Sequence, residues 1–516
     1  MCGVIGVIGS PEAAKETFLG LITLQHRGQD AAGILSYDRS FHEVKNIGLV
    51  ESVFTRESVE GLKGEMAVGH NRYSTVGRGD LREVQPLTLN YPYGLGVVHN
   101  GNIVNYLQVK DRLKTEFRRL CFSNSDTETI LNWIAHDLSR TTAADGSADD
   151  TGSAAVLNFG AGLEFDRLKS AVSSIFENIH GSYSIVGLVG GSGNGATPSG
   201  GSGGLFAFRD PNGIRPLVLG RKEIAGKQAY MVASESVSLE VNGYLVERDL
   251  NPGELIFIES DDGTLKVRSA NISFKALRPC MFEWVYFASA ESELERTPVY
   301  GARLALGRAL ASVVRERIAS GDIQADLVAP VPDTSRTAAS ALAESLGLPY
   351  REVLIKNRYI KRTFILSTQQ QRQRSVDLKL NPVVSEIVGK NIILVDDSIV
   401  RGTTSRKIVD LVKRAGAKKV YFLSTCPPIR FPCFYGIDFP DQTELIAAGK
   451  TESEIAKILG ADGVFYQKYS GLIDSLKEAS GGHVTNPCTA CLNGEYPTDV
   501  TQSQRFTQMR IDERSE

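Results

Sequence analysis

Residues 391–405, NIILVDDSIVRGTTS, constrain the fold of this chain more than any other stretch. NIILV is a short, wholly apolar run, the pattern of a strand covered on both faces. The TSRKIVDLVKRAG segment that follows gathers Ile408, Val409, Leu411, Val412 and Ala415 on one helical face, with Gly416 as its stop. Between strand and helix stand Asp396 and Asp397, then the turn Arg401-Gly402-Thr403-Thr404. A helix opening directly after such a turn offers unpaired N–H groups and a partial positive charge, which suit a phosphate. The two carboxylates suit ribose hydroxyls, or a Mg²⁺ ion carried by a pyrophosphate. An Asp pair can also simply cap a helix, but the Gly-Thr-Thr turn beside it favours the phosphate reading. No GxxxxGK(S/T) occurs, so this is not a Walker-type loop.

The surrounding sequence extends the same pattern. From about residue 275, apolar helical stretches such as ARLALGRALASVVRERI alternate with the strand-like runs DLVAPVP, KNIILVD and KKVYFLST. That alternation predicts βα units on a parallel sheet. Residues 1–110 read differently, as short strands with Gly and Asn turns (CGVIGVIG, AAGILSY, MAVGHNRY, LGVVHNGNIVNY), the pattern of stacked sheets. TETILNWIAHDL (127–138) has helical spacing, and the composition shift puts a boundary near residues 265–280. Two segments lose periodicity and read as inserts, near 142–155 and 190–204. The second contains Gly191-x-Gly193-x-x-Ala196, close to a dinucleotide fingerprint, but Pro198 and more Gly and Ser follow where a helix is needed. A hairpin loop is the expectation there.

Composition excludes several classes. The 516 residues carry a net charge of −3, which gives no global bias toward nucleic acid or membrane. No apolar run reaches membrane-spanning length, and the N-terminus lacks the basic region of a signal peptide. The seven cysteines, an odd number, argue against a disulfide framework and fit a reducing cytoplasm. Residues 351–380 hold eight Lys or Arg against two acids. Such a run is commonly a solvated surface; beside a site for an anionic sugar diphosphate it reads as an electrostatic lid.

The chain starts MCGVIGVIG. A cysteine behind the first methionine can be a small buried thiol or, once Met1 is removed, an N-terminal nucleophile. Cys2-Gly3-Val4, QHRGQDAAGI (25–34), GHNRYSTVG (69–77), HNGNIVNY (99–106) and NSDTE (124–128) together resemble the class II, N-terminal-nucleophile glutamine amidotransferases. DDSIVRGTTS closely resembles the phosphoribosylpyrophosphate (PRPP) signature of type I phosphoribosyltransferases. The resemblances imply an α+β, αββα glutaminase domain (2–270) and an α/β transferase domain with a parallel sheet (271–470), then a C-terminal helix and tail (471–516). They imply that Cys2 attacks glutamine with its own α-amino group as base, and that Asn100 and Gly101 form the oxyanion hole. Arg72 would take the substrate carboxylate and Asp126 its ammonium. PRPP would lie on Asp396, Asp397, Arg401, Gly402, Thr403 and Thr404. Thr334 in PVPDTS would join the two aspartates near Mg²⁺, although a Thr after Pro-Asp can equally cap a helix. The pairing implies an enzyme of de novo purine synthesis that makes 5-phosphoribosylamine, glutamate and pyrophosphate from glutamine, PRPP and water. It also implies a homotetramer and feedback inhibition by purine nucleotides.

Four cysteines remain to be explained. CTAC (488–491) alone is open among zinc, redox chemistry and chance. By resemblance to one branch of these enzymes, Cys280, Cys433, Cys488 and Cys491 would hold a structural 4Fe-4S cluster, with zinc or free thiols as the alternatives. Cys121 and Cys426 read as buried thiols. Three features depart from the family pattern: only Met1 precedes the cysteine, Ser289 stands where Arg is common, and Lys361 stands where Gly is common. Two other readings compete: another class II amidotransferase, and a non-catalytic PRPP-sensing regulator. The PRPP signature disfavours the first, and the second would need a DNA-binding head that the sequence does not show.

Overall fold

The computed structural model describes residues 1–73, 80–140, 163–190, 203–261, 264–357, 380–439 and 441–503. The chain divides into two compact units. The first comprises Met1–Pro279, Phe434–Asp438 and the described residues from Tyr496; the second comprises Cys280–Cys433 and Phe439–Glu495.

Two stacked sheets build the first unit. In the seven-stranded sheet, Gly3–Ile8 lies between the antiparallel strands Lys227–Ala233 and Met66–Arg72, with Ala31–Tyr37 beyond the latter. The six-stranded sheet runs Thr264–Asn271, Glu254–Asp261, Gly204–Arg209, Gly181–Val189, Leu95–Ile103, Leu87–Leu89. Alternation along Gly3–Ile8 sends Val4 and Ile8 inward, where they share a core with Val98, Val186, Leu205 and Ile256 of the second sheet. Gly6 lies on the same inward face, and a Cβ there would stand 2.6 Å from Val186 Cγ1, so only glycine lets the sheets approach this closely. Helix Ala13–Thr23 covers the outer face of the first sheet, with Gly20 seated on Ile5. Helices Tyr106–Thr115, Asp126–Ser139 and Phe165–Asn178 cover the other sheet around Trp133, Ile134, Phe176 and Phe208. The order is helix, sheet, sheet, helix.

The second unit is built on a four-stranded parallel sheet, Leu327–Pro330, Asn391–Asp396, Lys419–Ser424, Gly463–Tyr466. Both faces are covered, as continuous apolar strands require. Helices Thr403–Arg414 and Glu452–Leu459 pack on one side, around Ile392, Leu394, Ile408 and Val412. Helices Val299–Ala319 and Arg336–Leu346 pack on the other, around Ile393, Val395, Leu310 and Leu342. Among the described residues no helix is long and apolar enough to cross a membrane. The insert near 142–155, most of the one near 190–204, the bulk of the expected lid (358–379) and Lys361 lie outside the described residues.

Candidate active sites

In the first unit the sheets bring five expected residues to one place. Gly3 pairs with Asn71 in antiparallel register, so Cys2 lies one step on, beside Arg72 at the end of its strand. The Cys2 backbone N donates to Asn100 Oδ1 at 3.1 Å. Asn100 Nδ2 is buried and finds no hydrogen-bond partner among the described residues. A buried donor without a partner costs free energy and marks a place where an acceptor is meant to arrive. Gly101 follows in a backbone conformation (φ 152°) that L side chains rarely adopt, and a Cβ there would run into the Ser182 carbonyl.

Asp126 opens its helix and accepts from Ile103 N at 3.2 Å, with His99 Nδ1 3.4 Å from its other oxygen. Gln85 ties this floor together: its amide N donates to Thr127 Oγ1 at 2.8 Å and its oxygen accepts from His99 N at 2.7 Å. The Arg72 guanidinium meets the Glu83 carboxylate at 2.5 Å. Burial, together with Arg72 and His99 nearby, lowers the His70 pKa to about 3, so that ring is neutral at physiological pH.

Met1 is buried, and its sulfur accepts from Arg215 Nη1. Arg215 Nε also donates to the Tyr435 carbonyl at 2.9 Å. Phe434–Asp438 thus forms part of this unit, with Asn102 donating to Phe434 O and Ser182 Oγ to Tyr435 O, both at 2.9 Å.

In the second unit, Asp396 ends its strand and Asp397 begins the turn. Burial and then the Asp397 charge push the Asp396 carboxyl well above the usual range. Burial raises Asp397 to about 6, against the opposing hydrogen bond from Ser398 Oγ (2.7 Å) and the positive charge of Arg303. Two adjacent carboxyls whose pKa values are both raised by burial are favoured in their charged form by a cation placed beside them. Gly402 caps the next helix with φ 74°, and Thr403 and Thr404 stand exposed in its first turn. Arg401 rests on Glu444 at 2.8 Å.

Three residues in these sites escaped the sequence reading: Glu83, Ser335 and Arg303. Ser335 Oγ, one position beyond the expected Thr334, donates to Asp396 Oδ1 at 3.3 Å; the PVPDTS motif holds both residues, and only Thr334 was singled out from the sequence. Arg303 is buried in a long helix and donates to the carbonyls of Trp284, Tyr286 and Ala288 at 2.8–3.0 Å. Neither its spacing nor its neighbours gave a signal.

The four cysteines sit in the same unit, all as thiols. The backbones at Cys280 and Cys488 form an isolated parallel β-bridge, Met281 N donates to Cys488 O, and Arg430 and Phe431 N donate to Cys491 O. Burial raises the Cys491 thiol well above its usual value, and Cys433, Cys426, Cys280 and Cys488 each raise it further. Those four thiols therefore lie within electrostatic reach of Cys491. Among the described residues, however, no three His, Cys, Asp or Glu side chains are arranged to hold a metal ion.

Residues 300–428 match the phosphoribosyl transferase domain and residues 58–141 the glutamine amidotransferase domain. Amidophosphoribosyltransferase from Escherichia coli is 42% identical over 97% of this chain and 94% of its own length. The chain belongs to the amidophosphoribosyltransferase family. The Saccharomyces cerevisiae amidophosphoribosyltransferase is 40% identical over 97% of this chain and 93% of its own. Of the solved structures, glutamine PRPP amidotransferase from B. subtilis, complexed with ADP and GMP, superposes with a TM-score of 0.78 at 35% identity, covering 97% of this chain and 98% of that one. A structure named as the allosteric regulatory enzyme of purine biosynthesis superposes with a TM-score of 0.81 at 34% identity, covering 99% of each chain. Like other amidophosphoribosyltransferases, the chain is a transferase of the first step of purine biosynthesis, with a glutamine amidotransferase fold joined to a parallel-sheet phosphoribosyltransferase fold.

Proposed function

We propose that the two sites run in series, with residues 2–270 releasing ammonia from glutamine, residues 271–470 adding it to PRPP, and residues 471–516 forming the tail. Removal of Met1 makes Cys2 N an α-amine, which with a pKa of roughly 7.7–8.0 accepts the thiol proton without a histidine. The Cys2 thiolate attacks the amide carbon, and the oxygen that gains charge enters the oxyanion hole of Asn100 Nδ2 and Gly101 N–H. The single observation that carries this is the Asn100 side chain, whose oxygen accepts from Cys2 N while its buried amide nitrogen finds no partner among the described residues. The planar fork of Arg72 takes the substrate α-carboxylate and Asp126 its ammonium. Ammonia is protonated in neutral water and then cannot attack, so the nitrogen must travel through a dry passage.

In the second unit the Thr403 and Thr404 turn, with Gly402 giving close backbone approach and Arg401 beside it, holds phosphate at the helix N-terminus. Asp396, Asp397 and Thr334 would hold a Mg²⁺ ion, which when bound would offset charge on the departing pyrophosphate. Nitrogen attack at C1 of the ribose then gives 5-phosphoribosylamine. With glutamine, PRPP and Mg²⁺ present, the protein should release one glutamate for each pyrophosphate; glutamate without matching pyrophosphate would overturn the serial arrangement.

Cys280, Cys433, Cys488 and Cys491 are proposed as the ligands of a 4Fe-4S cluster in a reducing cytoplasm. The burial of Cys280, Cys488 and Cys491, and the electrostatic effect of the other three thiols on Cys491, support that reading, and when bound the cluster would act as a cross-link for the segment that carries Cys488 and Cys491. Anaerobically purified protein should contain about four iron and four sulfide per chain and absorb in the visible. Cys491→Ser should abolish both the iron and the absorption, and zinc in their place would refute the cluster. Assembly as a homotetramer and inhibition by purine nucleotides complete the reading; the relative solved with ADP and GMP supports the latter.

A further inference from the structure

We propose that Glu83 sets the affinity for glutamine by holding Arg72 in the free protein, in the place of the substrate's α-carboxylate. The inference rests on the reading that Arg72 receives that carboxylate. The Arg72 and Glu83 side chains are only 12% and 16% exposed, so water screens their contact less than it screens a surface pair.

The backbone beyond Glu83 is tied to the site floor. Two residues on, Gln85 is fastened to His99 and Thr127. The Glu83 side chain can therefore leave Arg72 by changing rotamer while those Gln85 contacts are kept. A side-chain carboxylate and an α-carboxylate have the same charge and the same planar pair of oxygens. Placed together on one guanidinium they repel, so the arriving substrate must displace Glu83. A ligand with an ammonium for Asp126 as well as a carboxylate recovers more of that cost than a simple anion does, which gives Glu83 a part in selectivity.

The test is a double-mutant cycle on glutamine hydrolysis. Glu83→Gln and Glu83→Ala should each lower KM for glutamine about tenfold, the size of one charge-assisted hydrogen bond. Arg72→Lys should raise KM, and adding Glu83→Gln to Arg72→Lys should bring no fall. If both Glu83 variants keep or raise KM while Arg72→Lys raises it, the displacement idea fails and the role of Arg72 stands. If Arg72→Lys leaves KM unchanged, the reading of Arg72 fails and this inference with it. A fall in KM that persists in the Arg72→Lys background shows that Glu83 acts elsewhere and also overturns it.

Discussion

Replacing Cys2 by alanine is expected to lower glutamine-dependent synthesis of phosphoribosylamine by at least about 10⁴-fold, the scale on which losing a catalytic nucleophile falls. Synthesis from added ammonium salt at alkaline pH should persist. The substitution removes one sulfur atom from a half-buried position at the start of a strand, so it leaves the sheet intact. Asn100 and Gly101 remain aimed at the same place but have no tetrahedral adduct to stabilise. The transferase residues belong to a separate compact unit, which explains the survival of the ammonia-driven reaction. Measuring glutamate, pyrophosphate and phosphoribosylamine with each nitrogen source in turn checks this. Hydrolysis of glutamine at the original rate by the alanine variant would remove Cys2 from the chemistry.

The mirror-image separation is expected from Asp397→Asn. Glutamine hydrolysis should continue, while PRPP-dependent transfer falls by at least about 10²-fold, the scale of losing one charge aimed at a reacting group. The carboxyl has a pKa of about 6, raised first by burial. The sign follows from that direction. Asp ionises near pH 4 in an unfolded chain, so the unfolded state gives up this proton first. Native stability is therefore lost as pH rises from about 4 to about 6. Asp397→Asn removes that loss, so the variant should melt at a higher temperature than the parent above pH 6, and the difference should shrink toward pH 4. Thermal melting across this range, beside the two separate assays, is the check. A variant that gains stability while losing transfer shows that Asp397 is kept for chemistry at a cost to the fold. One that retains transfer would refute its place at the PRPP site.

Much of this was legible because it is local. NIILV followed by DDS and a Gly-Thr-Thr turn encodes a strand, a turn and the start of a helix within fifteen consecutive positions; Asn391–Asp396 is the strand, and the helix Thr403–Arg414 opens inside that stretch. The helix expected at 127–138 spans Asp126–Ser139. Glu83 is different. In the sequence it is one acid among charged neighbours in LREVQP, and only the strand that carries Arg72 gives it meaning. Arg303 lies in a helical run with Arg308, Arg315 and Arg317, and nothing in that run sets it apart, yet it is buried and donates to three carbonyls. Ser335 was one position from a residue already singled out. In each case the missing information is a contact between residues 11 to 61 positions apart, and no periodicity records such a contact.

The short run Phe434–Asp438 limits how this polypeptide can be taken apart. Asn102, Ser182 and Arg215 spend their donors on its carbonyls, though it is joined to the chain more than 150 residues beyond the last strand of their own unit. A gene severed after Pro279 would therefore encode a hydrolase with a hole in its wall, and the remaining piece would carry an orphaned plug. The dependence runs one way: the first unit is completed by residues encoded far downstream, whereas the second takes nothing from residues 1–279.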